Sequence, residues 1–442
     1  MPTQTATSKT TIYLDQPPSC LQFCPASPNN LVIGTYLLSE TKFTDSDGSE
    51  TVQQKKSGSL QLWNLDPTDD SLTQITRYAI DAAVFDLHFH PRNSDILGIA
   101  TSAGCVSLLS VSEKGFTQLW TRSVNEDPTI PALHLAWVPN GWFNDYSNGE
   151  NRDGDGFAVT FSDGKTGVYS LNSFDAFGEE KEEVGNEAIT EIGSFMVKLP
   201  IEVWFVAVAS YTSPSASTGT GDDDEVKQST PYLFTGDDFG TLTTRRFADV
   251  SSDPTSNQSE EDNTLSLPPL LLNTSDKALH HTAGVTSILT LSIPLSSRLT
   301  NGEPLLLTGS YDEYLRLYHA TRGGHVIAEA GLGGGVWRLQ LVDDHPTVTR
   351  DGEEGETWTF LVLASCMHAG TRVVRVTIGV SGGGKVEARI EVLTEFTEHE
   401  SMNYASDVWR PRDRGNEGKG PELRIVSSSF YDRRVCVWRV DV

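Results

Sequence analysis

Three short turns hold the side chains of this 442-residue chain best suited to chemistry. Tyr311-Asp312-Glu313 and Tyr431-Asp432-Arg433 are built alike. Each follows a run of small residues, Gly309-Ser310 and Ser427-Ser428-Ser429. Each precedes an alternating run that reaches an aromatic residue, Tyr318 or Trp438, six positions after the aspartate. Aspartate on such a turn accepts hydrogen bonds from nearby backbone N–H groups, so Asp312 and Asp432 read first as turn caps. His399, Asp432 and Trp438 also suit a structural histidine–aspartate–tryptophan network. The corresponding turn of Ala364-Ser365-Cys366-Met367-His368-Ala369-Gly370 carries His368 where the other two carry aspartate. Imidazole caps a turn less well than carboxylate and titrates near neutral pH, which makes His368 a candidate for proton transfer. Ser365 and Cys366 stand beside it as nucleophiles, although strand alternation can send either into the fold. Gly333-Gly334-Gly335 lets backbone amides approach a ligand, either as donors to an oxyanion or as a plain tight corner. Tyr311 and Tyr431, bulky residues on tight turns, suit a lid or a contact surface.

A turn repeated in this way belongs to a repeat architecture. Helix signals are scarce, and short alternating runs rich in Val, Thr, Tyr and Trp point to antiparallel sheet. The runs group in fours. Six complete groups are followed by a seventh, Tyr404–Trp409, Arg424–Ser428 and Val435–Val440, that lacks its fourth strand. An unassigned strand at Thr10–Leu14 supplies it. The expected fold is therefore all-β: one seven-bladed WD40-type β-propeller over residues 1–442, closed by an N-terminal strand that completes the last blade. Residues 39–57, 212–230 and 251–266 read as flexible insertions. In such a ring the turn between a blade's second and third strands and the loop entering the next blade open on one face. That brings Tyr311, His368 and Tyr431 to the same channel mouth as Glu202, Trp204, Trp337, Arg338, His399 and Glu400.

With 60 acidic against 33 basic residues, the formal charge of −27 argues against a nucleic-acid partner and for a cationic one. Five cysteines at 20, 24, 105, 366 and 436 offer no zinc-type pairing and fit a reducing, cytoplasmic setting. No apolar run is long enough to span a bilayer, and residues 1–11 lack the regions of a signal peptide. No lipase elbow, metalloprotease helix motif or phosphate loop is present.

Several motifs together are similar to those of the diphthine methyltransferase family. They are Thr308-Gly309-Ser310-Tyr311-Asp312-Glu313, Gly333-Gly334-Gly335-Val336-Trp337-Arg338, the His368 turn, His399-Glu400-Ser401-Met402-Asn403-Tyr404-Ala405-Ser406-Asp407 and Ser429-Phe430-Tyr431-Asp432. The resemblance is strongest over residues 285–442. It implies a WD-repeat methylesterase of diphthamide biosynthesis that hydrolyses the methyl ester of diphthine on translation elongation factor 2. No cofactor or metal, no membrane and a monomeric state are expected. For that reaction His368 is the expected general base, oriented by Glu400 or Asp312. Arg338 or the amides of Gly334 and Gly335 would stabilise the oxyanion. The nucleophile is water, Ser365 or Cys366. The substrate's trimethylammonium group suits aromatic faces and carboxylates. Trp337, Tyr311, Tyr431 and Trp204, with Glu202, Asp407 and His399, are the expected contacts. A non-enzymatic interaction scaffold and a methylated-residue reader are the alternative classes.

Overall fold

The computed structural model describes residues 3–44, 50–145, 152–171, 189–214, 227–251, 266–276, 280–343, 346–351, 355–380, 384–411 and 422–442. Every regular element among them is a β-strand, and seven sheets form the blades of a propeller. The innermost strands, in chain order, are Pro18–Cys24, Val84–Phe89, Ala132–Trp137, Val203–Pro214, Val285–Thr290, Arg338–Leu341 and Asn403–Val408. We number the blades one to seven accordingly.

Burial follows position within a blade. Second strands such as Ile96–Thr101, Gly156–Phe161 and Leu305–Ser310 are buried at every residue, because neighbouring blades cover both their faces. Outer strands such as Leu270–Asp276 alternate between exposed and half-buried. Seven hydrophobic clusters fill the seven junctions between blades. The ring is thus held by sheet-on-sheet burial at each junction, with no separate central core.

The termini close the ring as the strand count requires. Ser8–Tyr13 pairs antiparallel with Arg434–Asp441, Ser8 lying opposite Trp438 and Tyr13 opposite Arg434. A second N-terminal strand was not foreseen. Gln4–Ala6 runs parallel to Thr394–Phe396 on the outer edge of blade six. The N-terminal segment therefore staples blade six as well as completing blade seven, and both edges are capped.

Residues 39–57, expected as an insertion, extend blade one into a ribbon. Leu37–Thr44 pairs with the first half of Glu50–Leu65. Residues 45–49 lie outside the described residues, as do 215–226 and 252–265 of the other two expected insertions.

Candidate active site

The channel mouth is shaped by a bulge repeated around the ring. The register slips one residue at the start of the inner strand in blades one to five and in blade seven. The bulged residue sits at the rim. Blades two, four and seven place Phe85, Trp204 and Tyr404 there, and blade six places Trp337 at the matching position. Turns from neighbouring blades add Tyr36, Tyr311, Phe430 and Tyr431. The rings touch in sequence: Phe85–Tyr36 at 5.6 Å, Tyr36–Phe430 at 5.8 Å, Phe430–Tyr404 at 5.5 Å and Tyr404–Trp337 at 5.1 Å. Trp337 then meets Trp204 at 5.6 Å and Tyr311 at 5.9 Å. Most of these rings are half-buried, and Tyr431 is largely exposed. Carboxylates stand among them. Trp204 Nε1–H donates to Asp238 Oδ1 at 2.7 Å. Burial, then the Asp238 carboxylate and more weakly Glu202, push the Tyr311 hydroxyl far above its ordinary pKa.

Just inside the mouth, Arg338 lies with its guanidinium over the Trp337 and Phe205 rings, at 4.9 and 5.4 Å. It donates to the carbonyls of Trp337 and Thr286. Its Nη2 is 3.6 Å from Asp86 Oδ1. Arg338 belongs to blade six and Asp86 to blade two, so the pair spans the channel. Two histidines flank the same carboxylate: His88 Nε2 is 3.1 Å and His134 Nε2 is 3.5 Å from Asp86 Oδ2. Asp86 Oδ2 also accepts the Leu135 N–H at 3.0 Å. Burial works against the Asp86 charge. The neighbouring His88, then His134 and Arg338, outweigh it and hold the carboxyl well below the usual range. Burial drives His134 far below 6.5, so its ring is neutral.

The ligand atoms of Asp86, His88 and His134 lie within 4.8 Å of one another, close enough to share a cation. The hydrogen bonding argues against it. His134 Nδ1 accepts the Val206 N–H at 3.4 Å, which places the ring proton on Nε2 and removes the lone pair a cation needs.

The residues expected from sequence divide into two sets. Trp204, Tyr311, Trp337 and Tyr431 assemble at the mouth, Glu202 adds its charge to Tyr311, and Arg338 lies beneath. The remaining assignments need correction. His368 is exposed and makes no hydrogen bond or ion pair among the described residues, so nothing orients it as a base. Glu400, 75% exposed, pairs with Arg434 at 3.5 Å. Asp312 is consumed by its own blade: it contacts His281 Nδ1 at 3.0 Å and accepts from Arg316 Nη1 at 2.8 Å and the Thr282 N–H at 3.0 Å. His399 is buried and shares a 2.8 Å hydrogen bond with Ser427 Oγ, which also accepts the Trp438 indole N–H. Asp407 is buried and accepts from the Phe23 N–H, Gln340 and Arg410, tying blades one, six and seven together. Gly334 and Gly335 are packing residues. A Cβ at Gly334 would lie 2.3 Å from Cys366 O, and one at Gly335 2.7 Å from Met367 Sδ. Neither candidate side-chain nucleophile is available. Ser365 is buried against Ser406 at 2.7 Å, and burial pushes the Cys366 thiol up to about 12.

Sequence reasoning missed Tyr36, Phe85, Asp238, Asp86, His88 and His134. A signal was present. Asp86, His134 and Arg338 each occupy the third position of the inner-strand opening, in Val84-Phe85-Asp86, Ala132-Leu133-His134 and Val336-Trp337-Arg338. Charged or titratable residues repeated at one channel-facing position are a constellation that no single motif displays.

Fold and site define a class: a WD40-type propeller with an aromatic, acidic mouth over buried titratable groups. Comparison with known proteins narrows it. No protein-family model matches the chain. It is 25% identical over 430 residues to diphthine methyltransferase of Schizosaccharomyces pombe, covering 97% of each chain. It is 22% identical over 450 residues to the diphthine methyltransferase homolog of Dictyostelium discoideum, covering 97% of this chain and 98% of that one. Among solved structures, Sqt1 of Saccharomyces cerevisiae aligns with a TM-score of 0.50 at 12% identity, over 99% of this chain and all of that one. That likeness is one of fold alone. The full-length relatives carry the name of the family whose motifs the sequence resembles.

Proposed function

We propose that the protein is a methylesterase that hydrolyses the methyl ester of diphthine on translation elongation factor 2, releasing methanol and leaving diphthine for amidation. The observation that carries this reading is the mouth itself. A trimethylammonium group donates no conventional hydrogen bond, and its best receptor is a set of aromatic faces with carboxylates nearby. Trp204, Tyr311, Trp337 and Tyr404 with Asp238 and Glu202 make up such a receptor. In the substrate the ester is attached to the carbon that bears the ammonium group. A cation seated at the rim therefore directs the ester carbonyl toward Arg338, whose guanidinium suits a developing oxyanion. Since Ser365 and Cys366 are buried and engaged, the nucleophile in this reading is water. The two full-length relatives named for diphthine support the substrate class.

A reader of methylated residues would use the same cage without turnover, so the test is catalytic. Purified protein incubated with the methylated factor is expected to release methanol stoichiometrically and to convert the modified residue to the free acid by mass spectrometry. Tight binding with no methanol would replace this function with that of a reader.

A further inference from the structure

We propose that Asp86 and His88 form the proton-transfer dyad of this reaction. The inference rests on the esterase reading and assigns its base. His88 Nε2 is buried 3.1 Å from Asp86 Oδ2, although not aligned there as a hydrogen bond. Catalytic hydrogen bonds are commonly misaligned before substrate arrives. The rest of the His88 ring is open: 37% of its side chain is exposed, and Nδ1 is not among the buried, unpartnered atoms. In the dyad Asp86 would take up Nε2–H and leave the Nδ1 lone pair as the base.

His134 has a different part. It is buried, neutral and pinned through Nδ1 to the Val206 N–H. Its Nε2 lies 3.5 Å from Asp86 Oδ2 without a hydrogen bond, and it presents no lone pair to solvent. The charged and titratable groups around the Asp86–His88 pair are His134 of blade three, Arg338 of blade six and Cys20 of blade one.

The chemistry balances with these groups alone. Water oxygen attacks the ester carbonyl carbon while its proton passes to His88 Nδ1. The carbonyl electron pair moves to oxygen beside Arg338. The tetrahedral intermediate then collapses, the bond to the methoxy oxygen breaks, and that oxygen takes the proton from the His88 imidazolium. Methanol leaves, and the carboxylic acid loses its proton to solvent. Asp86 stabilises the transient imidazolium and stays ionised.

The test is methanol release from the methylated factor by the wild type, His88→Gln, His88→Gly and Asp86→Asn, with thermal melts to certify folding. General base removal costs roughly 10²–10⁴-fold in kcat. We expect His88→Gln to fall in that range with KM within about twofold of the wild type. Added imidazole should restore part of the His88→Gly activity, a rescue that a purely structural role would not give. Asp86→Asn should lower kcat and shift the acidic limb of the kcat/KM profile. Wild-type activity retained in both folded His88 variants, or no rescue by imidazole, would overturn the dyad and leave the esterase reading intact. No methanol release by the wild type would overturn both.

Discussion

Trp337 touches Trp204, Tyr311 and Tyr404 and carries Arg338 against its ring, so it joins the aromatic mouth to the channel beneath. A cation–aromatic contact of about 0.5–2 kcal/mol corresponds to roughly 2–30-fold in affinity. Trp337→Ala is accordingly expected to raise KM for the methylated factor by about tenfold, with Trp337→Phe close to the wild type. Unchanged KM in the alanine variant would remove Trp337 from the binding site. His368 makes the opposite case. Its position in the turn was legible, but a residue's type says nothing about whether a partner will orient it, and this imidazole is exposed and unpartnered among the described residues. His368→Ala should keep kcat within about twofold of the wild type in the methanol assay, and a hundredfold loss would return the general base to it. The same limit explains why Asp86, His88 and His134 escaped notice. Asp86 and His88 share one strand and His134 lies on the next blade, and only the ring's closure brings Arg338, some 250 residues later, against them.

Blade seven shows what the elements contribute. His399, Ser427 and Trp438 form one hydrogen-bonded line, and the Trp438 ring stacks 5.0 Å from Phe396 of blade six. Asp432 holds the adjoining loop through the Glu400 N–H and Ser401 Oγ. Spacing pointed to His399 and Trp438 but put Asp432 between them; the structure puts Ser427 there instead, because Asp432 is taken up by its own loop. Strand Ser8–Tyr13 was legible as well, since a seventh group short of one strand demands a partner. The parallel strand Gln4–Ala6 was not, for three residues carry no periodicity. Burial lowers the His399 pKa from 6.5 to about 4. Unfolding then lets this ring take up a proton between those values. Its contribution to stability is therefore full above pH 6.5 and is lost as pH falls toward 4, by about 3 kcal/mol in all. Thermal melts across that window should show a falling melting temperature, with a shallower slope in His399→Gln. An equal slope would mean that other buried groups, such as His280, dominate. Removal of residues 1–13 uncovers the edge of Arg434–Asp441 and strips the parallel strand from blade six. The truncated chain should lose its single cooperative melt and aggregate at a lower temperature, as followed by circular dichroism and light scattering. An unchanged melt would show that the ring holds without its clasp.

The whole molecule sets the terms on which a partner arrives. Its formal charge of −27 was plain from composition, but composition could not say whether acid gathers near the site. Asp238 and Glu202 do stand at the mouth, and Glu400 is exposed beside the same face. Under the proposed function, a cationic modified side chain would approach down a favourable potential before any contact forms. Such steering acts mainly on the association rate and is screened over about 10 Å at 0.1 M salt. In the proposed reaction, contacts made at close range between partly buried groups would be screened far less. Ionic strength should thus separate encounter from catalysis. Between about 0.05 and 0.5 M salt, kcat/KM for the methylated factor is expected to fall several-fold while kcat stays within about twofold. Asp238→Asn should weaken the salt dependence as well as binding, because it removes a charge at the rim without removing an aromatic face. If kcat falls in step with kcat/KM as salt rises, the acidity of the chain acts on the chemical step or on stability, and steering is not its role.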